Sequence, residues 1–223
     1  MRKIAIVFSS HREMGLCNAE ELLKILREIE PEVAFEEICP SDFDSYCSDG
    51  SKWSLEAQAI TRYLKSKSLR RVPVDRYDIP TSLIAESKSE IDRVFDYVEQ
   101  TSQEYLELGE EKNNKAYQYG FEYLNSVAFA KTMDRIHAIE EQIIVGTHDQ
   151  DLICGLERWR QLTQRREAEM IGNIYEYCRE NVFDTGVFLV GAAHKTGIVH
   201  EIEKCARSDA DLIRWNFGCG HIS

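Results

Sequence analysis

Two histidines in this sequence follow the same local pattern: an apolar segment, two small residues and then the imidazole. His11 follows IAIVF and two serines, and His194 follows VFLVG and two alanines. In open α/β sheets, ligands bind just beyond the carboxyl ends of the strands, on loops that a rigid sheet holds in place. The pair therefore predicts a functional site at one sheet edge. The alternative is that each imidazole caps a helix or bonds a turn carbonyl.

Two adjacent carboxylates end a second strand-like segment, EVAFEEI. Strand alternation sends the side chains of Glu36 and Glu37 to opposite faces, so only one of them can point into a given site. The residues alone leave open which one does. Two histidines and one carboxylate form a donor set that suits a divalent metal with open positions for water. Pairing of both carboxylates with surface lysines or arginines is the alternative.

A third polar group follows the short VPV segment. Asp75 and Arg76 stand where that strand ends, and such a pair can orient a ligand histidine or bind a carboxylate or phosphate. Arg166 lies on a helical segment among other charged side chains, where a solvated, ion-paired face is the ordinary interpretation. Taken singly, these residues are weak indications of a site.

The composition of the chain limits what such a site can serve. The chain has 223 residues, 43% of them hydrophobic, and a formal net charge of -12. An acidic protein lacks the basic face that nucleic acid or an anionic membrane requires, so we expect neither as a partner. No apolar run approaches the roughly 20 residues of a membrane span. Seven cysteines without a CxxC pair predict reduced thiols and a cytoplasmic protein.

The elements that would position these residues are α/β at both ends of the chain and helical between them. Short apolar segments rich in β-branched residues predict strands at 3–9, 32–38, 72–74, 186–194 and 209–217. Amphipathic segments predict helices at 18–31, 54–68 and 196–207. From about 83 to 180 the sequence is helical and contains no proline, with breaks expected at Gly109 and at 146–151.

This arrangement predicts one discontinuous α/β domain. Its core would comprise residues 1–80 and 184–223, with a helical insertion at about 83–180. The first two strands should lie parallel through a right-handed crossover. The helical middle is where we would expect either a homodimer interface or a lid.

Several segments resemble the TraB/Tiki family, within the wider group of erythromycin-esterase-like and ChaN-like proteins. VFLVGAAHKTGI resembles the family's apolar strand, Gly-x-x-His and following Gly, with Gly191 and His194 in the pattern. REAEM is similar to its Arg-acid-x-x-Met helix, beginning here at Arg166. VDR, which ends at residue 76, is similar to its Asp-Arg strand end, and PEVAFEEI to its strand with a glutamate. Counting from Pro31 without gaps places Glu37 on that glutamate, and a slip of one residue would select Glu36.

The resemblance departs from the family at the first histidine. The family's first Gly-x-x-His is here Phe8-Ser9-Ser10-His11, without a glycine, so the geometry of that turn is open. The matches run from residue 3 to about 205 in the family's order. They imply a mixed, partly parallel sheet flanked by helices, with the two histidines and the glutamate converging.

The leading functional hypothesis that the resemblance implies is a metal-dependent hydrolase. His11, Glu37 (or Glu36) and His194 would hold a divalent metal, Mn, Co or Zn. Asp75 would orient a ligand, and the next residue, Arg76, would act with Arg166 on a substrate carboxylate or an oxyanion. Tiki-type members are described as metal-dependent proteases, so a peptide is preferred to a small-molecule ester as substrate.

Two other functions stay open on the sequence. One is a non-catalytic regulator that binds a peptide or a small ligand in the same cleft. The other is a metal-free, esterase-like hydrolase that uses one of the two histidines as its general base. Metal content and sensitivity to chelators separate these hypotheses from the leading one.

Overall fold

A computed structural model describes residues 1–48, 54–75, 81–207 and 211–217 of the chain. Five strands in these ranges form one sheet in the order β3-β2-β4-β1-β5. They are β1 (Arg2–Ser9), β2 (Val33–Glu36), β3 (Arg70–Pro73), β4 (Thr185–Gly191) and β5 (Ile213–Phe217).

Helices connect every pair of consecutive strands. The described ranges contain α1 (Ala19–Ile29), α2 (Pro40–Ser48), α3 (Leu55–Tyr63), α4 (Thr81–Thr101), α5 (Gln103–Leu124), α6 (Val127–Thr147), α7 (Gln150–Glu180) and α8 (Lys195–Ala206). A short 3-10 turn, Ala192–His194, joins β4 to α8. None of the helices described combines the length and the apolar composition that a membrane crossing needs.

The prediction of an α/β fold with a sheet flanked by helices is confirmed. All neighbouring strands pair in parallel, whereas the resemblance implied a mixed sheet. The reason is that each connection crosses over through at least one helix, which returns the chain to the same end of the sheet. The carboxyl ends of the described strands consequently lie along one edge.

The two central strands are buried on both faces. In β1 the six residues from Ile4 to Ser9 are buried, and in β4 the six residues from Gly186 to Gly191 are. Burial on both faces is the reason that these segments are continuous apolar runs and do not alternate. Helix α1 begins where Asn18 accepts hydrogen bonds from two backbone N–H groups, and its apolar face lies in the same core.

The helical region has a second hydrophobic core of its own. Ile91, Val94 and Val98 of α4 pack there with Ile139 of α6 and Leu156 of α7. Helix α7 is 31 residues long, and its second half contributes to the core around the sheet. The same helix therefore belongs to both cores, and it is in direct contact with the sheet layer.

A kink in α5 joins the helical region to the end of β1. Gly120 has a φ of +51°, and a Cβ added there would lie 2.4 Å from the carbonyl oxygen of Leu16. After the kink, the Asn125 amide accepts a hydrogen bond from the Phe8 N–H and donates one to the Phe8 carbonyl, both at 3.0 Å. The predicted break at Gly109 is wrong, because α5 continues through it. The break predicted at 146–151 is confirmed, because α6 ends at Thr147.

Two glycines of α5 should respond oppositely to replacement by alanine. Gly120→Ala should lower the free energy of unfolding by about 2 kcal/mol or more, because the backbone is in a region that L residues avoid and the methyl group meets a carbonyl. Gly109→Ala meets no atom within 4 Å and should raise that free energy by about 0.5–1 kcal/mol. Urea denaturation of both variants measures the two effects. A Gly120→Ala protein as stable as the parent would contradict this account of the kink.

Candidate functional site

The sheet order brings three of the predicted site residues together. β4 lies between β1 and β2, so the residues that follow these three strands are neighbours at the carboxyl edge. The Nε2 atom of His11 lies 3.3 Å from one carboxylate oxygen of Glu37. The Nε2 atom of His194 lies 3.2 Å from the other oxygen. Glu37 therefore lies between the two imidazoles.

A second carboxylate holds each imidazole from its far side. Nδ1 of His11 lies 3.2 Å from Oε1 of Glu56, and Nδ1 of His194 lies 2.9 Å from Oε1 of Glu167. Both of these glutamates are buried. A carboxylate at Nδ1 fixes the orientation of a ring and directs its Nε2 atom toward the opposite partner. The arrangement is thus two carboxylate–histidine pairs that face one central carboxylate.

Glu37 has two further hydrogen-bond donors. The backbone N–H of Gly191 donates to its Oε2 at 2.7 Å, and Nη2 of Arg166 donates to its Oε1 at 2.9 Å. The Arg166 guanidinium also donates to both oxygens of Asp75, at 2.7 and 3.1 Å. Each oxygen of Glu37 therefore contacts one imidazole and one other donor.

These contacts favour the charged forms of Glu37 and of both imidazoles. Burial by itself would lower the pKa of each imidazole. The contacts with Glu37 and Glu56 nevertheless raise the pKa of His11 to about 10. Those with Glu167 and Glu37 raise the pKa of His194 to about 9. Burial would raise the pKa of Glu37, but the two imidazoles hold it well below its ordinary value. Without another cation at the centre, both imidazoles are protonated at neutral pH.

Two glycines of the 191-GAAHKTG-197 segment are required by the same contacts. A Cβ at Gly191 would lie 2.5 Å from Nε2 of His11, and one at Gly197 would lie 1.8 Å from Oε2 of Glu167. Real Cβ atoms do not approach other atoms this closely. The first glycine leaves space for the imidazole that follows β1, and the second leaves space for the carboxylate that holds His194.

The other residues predicted for the site do not all have the contacts that the sequence suggested. Glu36 forms a bidentate ion pair with Arg71, at 2.6 and 2.7 Å, whereas both imidazoles contact Glu37. Asp75 binds Arg166, whereas the histidines are oriented by the other glutamates described above. The ordinary interpretation of Arg166 as part of a solvated helix face is wrong, because its side chain is 24% exposed and paired in the site. Arg76 lies outside the described residues.

Sequence reasoning did not select Glu56 or Glu167 as site residues. Glu167 had one available signal, since it is adjacent to Arg166 and stands 27 positions before the histidine that it contacts. Glu56 had none, because its contact with His11 spans 45 positions and depends on how α3 packs beside β1. Its Oε1 atom also accepts a hydrogen bond from the hydroxyl of Ser9.

The donor chemistry of the site suits a divalent cation, but the side chains do not stand in the positions of a formed metal centre. Two imidazole Nε2 atoms with carboxylates at Nδ1, together with a third carboxylate, are ligands that Mn, Co and Zn accept. No group of three or more His, Cys, Asp or Glu side chains in the described ranges is arranged to hold a metal. His11 and His194 approach different oxygens of Glu37, so a shared ion requires side-chain shifts and the loss of both Nε2 protons.

Comparisons with known proteins add no assignment to this geometry. No protein-family model, curated protein or solved structure matches the chain.

Removal of the carboxylate behind His194 should lower the pKa of that imidazole. Glu167→Gln keeps the shape of the side chain but removes its charge, so the pKa of His194 should fall from about 9 by about one unit or more. Glu169→Gln is the matched control, because Glu169 lies on the same helix and its side chain pairs with Arg165 at 3.9 Å. NMR titration of the histidine ring signals measures both variants. An unchanged pKa in Glu167→Gln would refute the role of this contact.

The stability of the metal-free protein should fall as the pH rises. A folded-state pKa above the ordinary value of 6.5 means that the stabilisation is fully present below pH 6.5 and is lost as the pH passes the raised values of about 9 and 10. His194 should contribute a loss of about 3 kcal/mol, and the half-exposed His11 a smaller one. Urea denaturation in the presence of a chelator between pH 6.5 and 9.5 measures this change. The double variant His11→Asn, His194→Asn should have a flatter dependence, and an equally steep one would contradict the assignment.

Proposed function

We propose that this protein is a hydrolase whose centre is formed by His11, Glu37 and His194 and takes a divalent cation. One observation carries the proposal: buried carboxylates hold both imidazoles through Nδ1, while their Nε2 atoms face the same third carboxylate. Carboxylate–histidine pairs of this kind are a recurring support of metal-ligating histidines. The order of motifs that resembles the TraB/Tiki family supports the same proposal.

The charge of the cluster also supports a cation. Among the described residues, four carboxylates and one guanidinium group form the cluster around the imidazoles: Glu37, Glu56, Asp75, Glu167 and Arg166. With neutral imidazoles, this set has three more negative than positive charges, and buried charge of one sign is costly unless it is matched. Two imidazole protons supply two positive charges, and so does one divalent cation. Exchange of the protons for the ion therefore leaves the total charge of the cluster unchanged.

The distances are compatible with this exchange. A charge-assisted N–H···O hydrogen bond is usually about 2.7–2.9 Å long, whereas the Nε2 atoms of His11 and His194 lie 3.3 and 3.2 Å from Glu37. Ligand atoms that share one small cation are separated by about 3–3.5 Å. Each imidazole nitrogen is therefore at ligand-to-ligand distance from one oxygen of Glu37, and the proposed centre also requires the two imidazoles to approach one another.

The protein's own residues supply the remaining parts of a hydrolytic site. When bound, the cation would supply Lewis-acid chemistry, which makes water more acidic and polarises a carbonyl. Arg166 would stabilise negative charge that develops on the substrate, because its guanidinium group donates to Glu37 beside the proposed cation. Substrate would enter beside His11, whose side chain is 45% exposed, since His194 and Glu37 are each only 9% exposed. We propose a peptide as the substrate, on the basis of the family resemblance.

The decisive experiment combines a metal titration with a peptide-hydrolysis assay. The chelator-treated protein should take up about one equivalent of Mn, Co or Zn and should then cleave peptides from a mixed library. His194→Ala should abolish both properties, with a loss of at least about 10²-fold in kcat/KM. The control is His200→Ala, because His200 is an exposed residue of α8 that lies outside this cluster.

Each other outcome selects a different function. Hydrolysis that survives chelation but is lost in His194→Ala would replace the metal by a histidine general base. Peptide binding without hydrolysis or metal uptake would indicate a binding module. Absence of metal uptake, hydrolysis and binding would overturn the proposal.

A further inference from the structure

A small cleft opens beside His11. It is lined by three glutamates, a tyrosine and two apolar side chains in addition to that histidine: Glu36, Glu37, Glu56, Tyr46, Ile38 and Leu189. The Arg71 guanidinium donates hydrogen bonds to both oxygens of Glu36, and each imidazole contacts one oxygen of Glu37. Glu56 is the third carboxylate of the cleft, and its two oxygens differ in their contacts.

Glu56 has one oxygen with a clear structural role and one without. Oε1 accepts hydrogen bonds from His11 and from Ser9. Oε2 is buried and has no hydrogen-bond partner among the described residues. The residue as a whole is only 5% exposed. Buried polar atoms in proteins almost always have a hydrogen-bond partner.

We propose that this cleft binds a primary ammonium group, the amino terminus of a peptide substrate, with Glu56 Oε2 as its acceptor. This inference rests on the proposed function only in that the bound peptide is a substrate, because the binding itself needs no catalysis. An ammonium group carries three donors and a positive charge, which match an unpaired carboxylate oxygen beside two other carboxylates. Ile38 and Leu189 provide apolar contacts for the adjoining side chain.

The position of Glu56 favours the amino terminus over a lysine side chain. Glu56 and Glu37 contact the two nitrogens of the same imidazole, so one ring separates the proposed ammonium site from the centre. In an amino-terminal residue, only the Cα atom separates the ammonium nitrogen from the carbonyl carbon. A lysine side chain would place its carbonyl several bonds farther away. The class of substrate that follows is a peptide with a free, unblocked amino terminus.

The first test measures binding without any variant. Isoamylamine should bind the metal-free protein at neutral pH at least about tenfold more tightly than isoamyl alcohol, which has the same apolar body without the charge. Glu56→Gln should remove this preference, and the NMR spectrum of the variant will show whether it is folded. Equal binding of the amine and the alcohol to the parent protein, or no binding of either, would overturn the proposal.

The second test compares three peptides as substrates of the metal-loaded protein: Leu-Gly-Gly, acetyl-Leu-Gly-Gly and acetyl-Lys-Gly-Gly. The free peptide should have a kcat/KM at least about tenfold above that of both acetylated ones. Equal cleavage of all three would overturn the ammonium site while leaving the hydrolase in place. Preference for acetyl-Lys-Gly-Gly would overturn the assignment to the amino terminus. Amine binding without cleavage of any peptide would instead refute the hydrolase and retain the ammonium site.

Discussion

The buried carboxylate of Glu37 must be matched by positive charge and hydrogen-bond donors. The sheet and the helices around it bring these groups together. Its side chain is 9% exposed and contacts two imidazoles, a guanidinium group and a backbone N–H. An isolated carboxylate at this depth would be protonated or would destabilise the fold. The parallel sheet meets the requirement because it ends β1, β2 and β4 side by side at one edge. A strand that ran the other way would take its donor to the opposite edge.

The helical region contributes part of the site as well as a second core. Helix α7 runs from the helical core into the sheet core, and it carries Arg166 and Glu167 at the site. Helix α5 reaches the end of β1 after its kink, where Asn125 satisfies backbone groups of Phe8. The helical region therefore contacts both the end of β1, just before His11, and His194. The segment from about 83 to 180 is therefore integral to the geometry of the site.

The excess of carboxylates gives the two proposals a common physical basis. Glu56 orients His11 through one oxygen, and its other oxygen has no hydrogen-bond partner in the described part of the chain, while Glu167 is closely enclosed by the backbone at Gly197. A site that buries this much negative charge attracts cations of more than one kind. The divalent ion is proposed at Glu37 and the two imidazoles, and the ammonium group in the cleft next to His11. The two sites are adjacent because they lie on opposite nitrogens of one ring.

The sequence by itself determined the α/β class, the strands and the edge where the two histidines meet, because periodicity and strand-end position are local properties. It also indicated Glu37 and Arg166, but only through the order of motifs. The tertiary structure alone decided that Glu36 pairs with Arg71 and that Glu56 holds His11, since these contacts join segments 35 and 45 positions apart. The kink in α5 has the same cause: a Cβ at Gly109 would meet no atom within 4 Å, whereas one at Gly120 would meet the backbone of Leu16, and no local preference contains that contact.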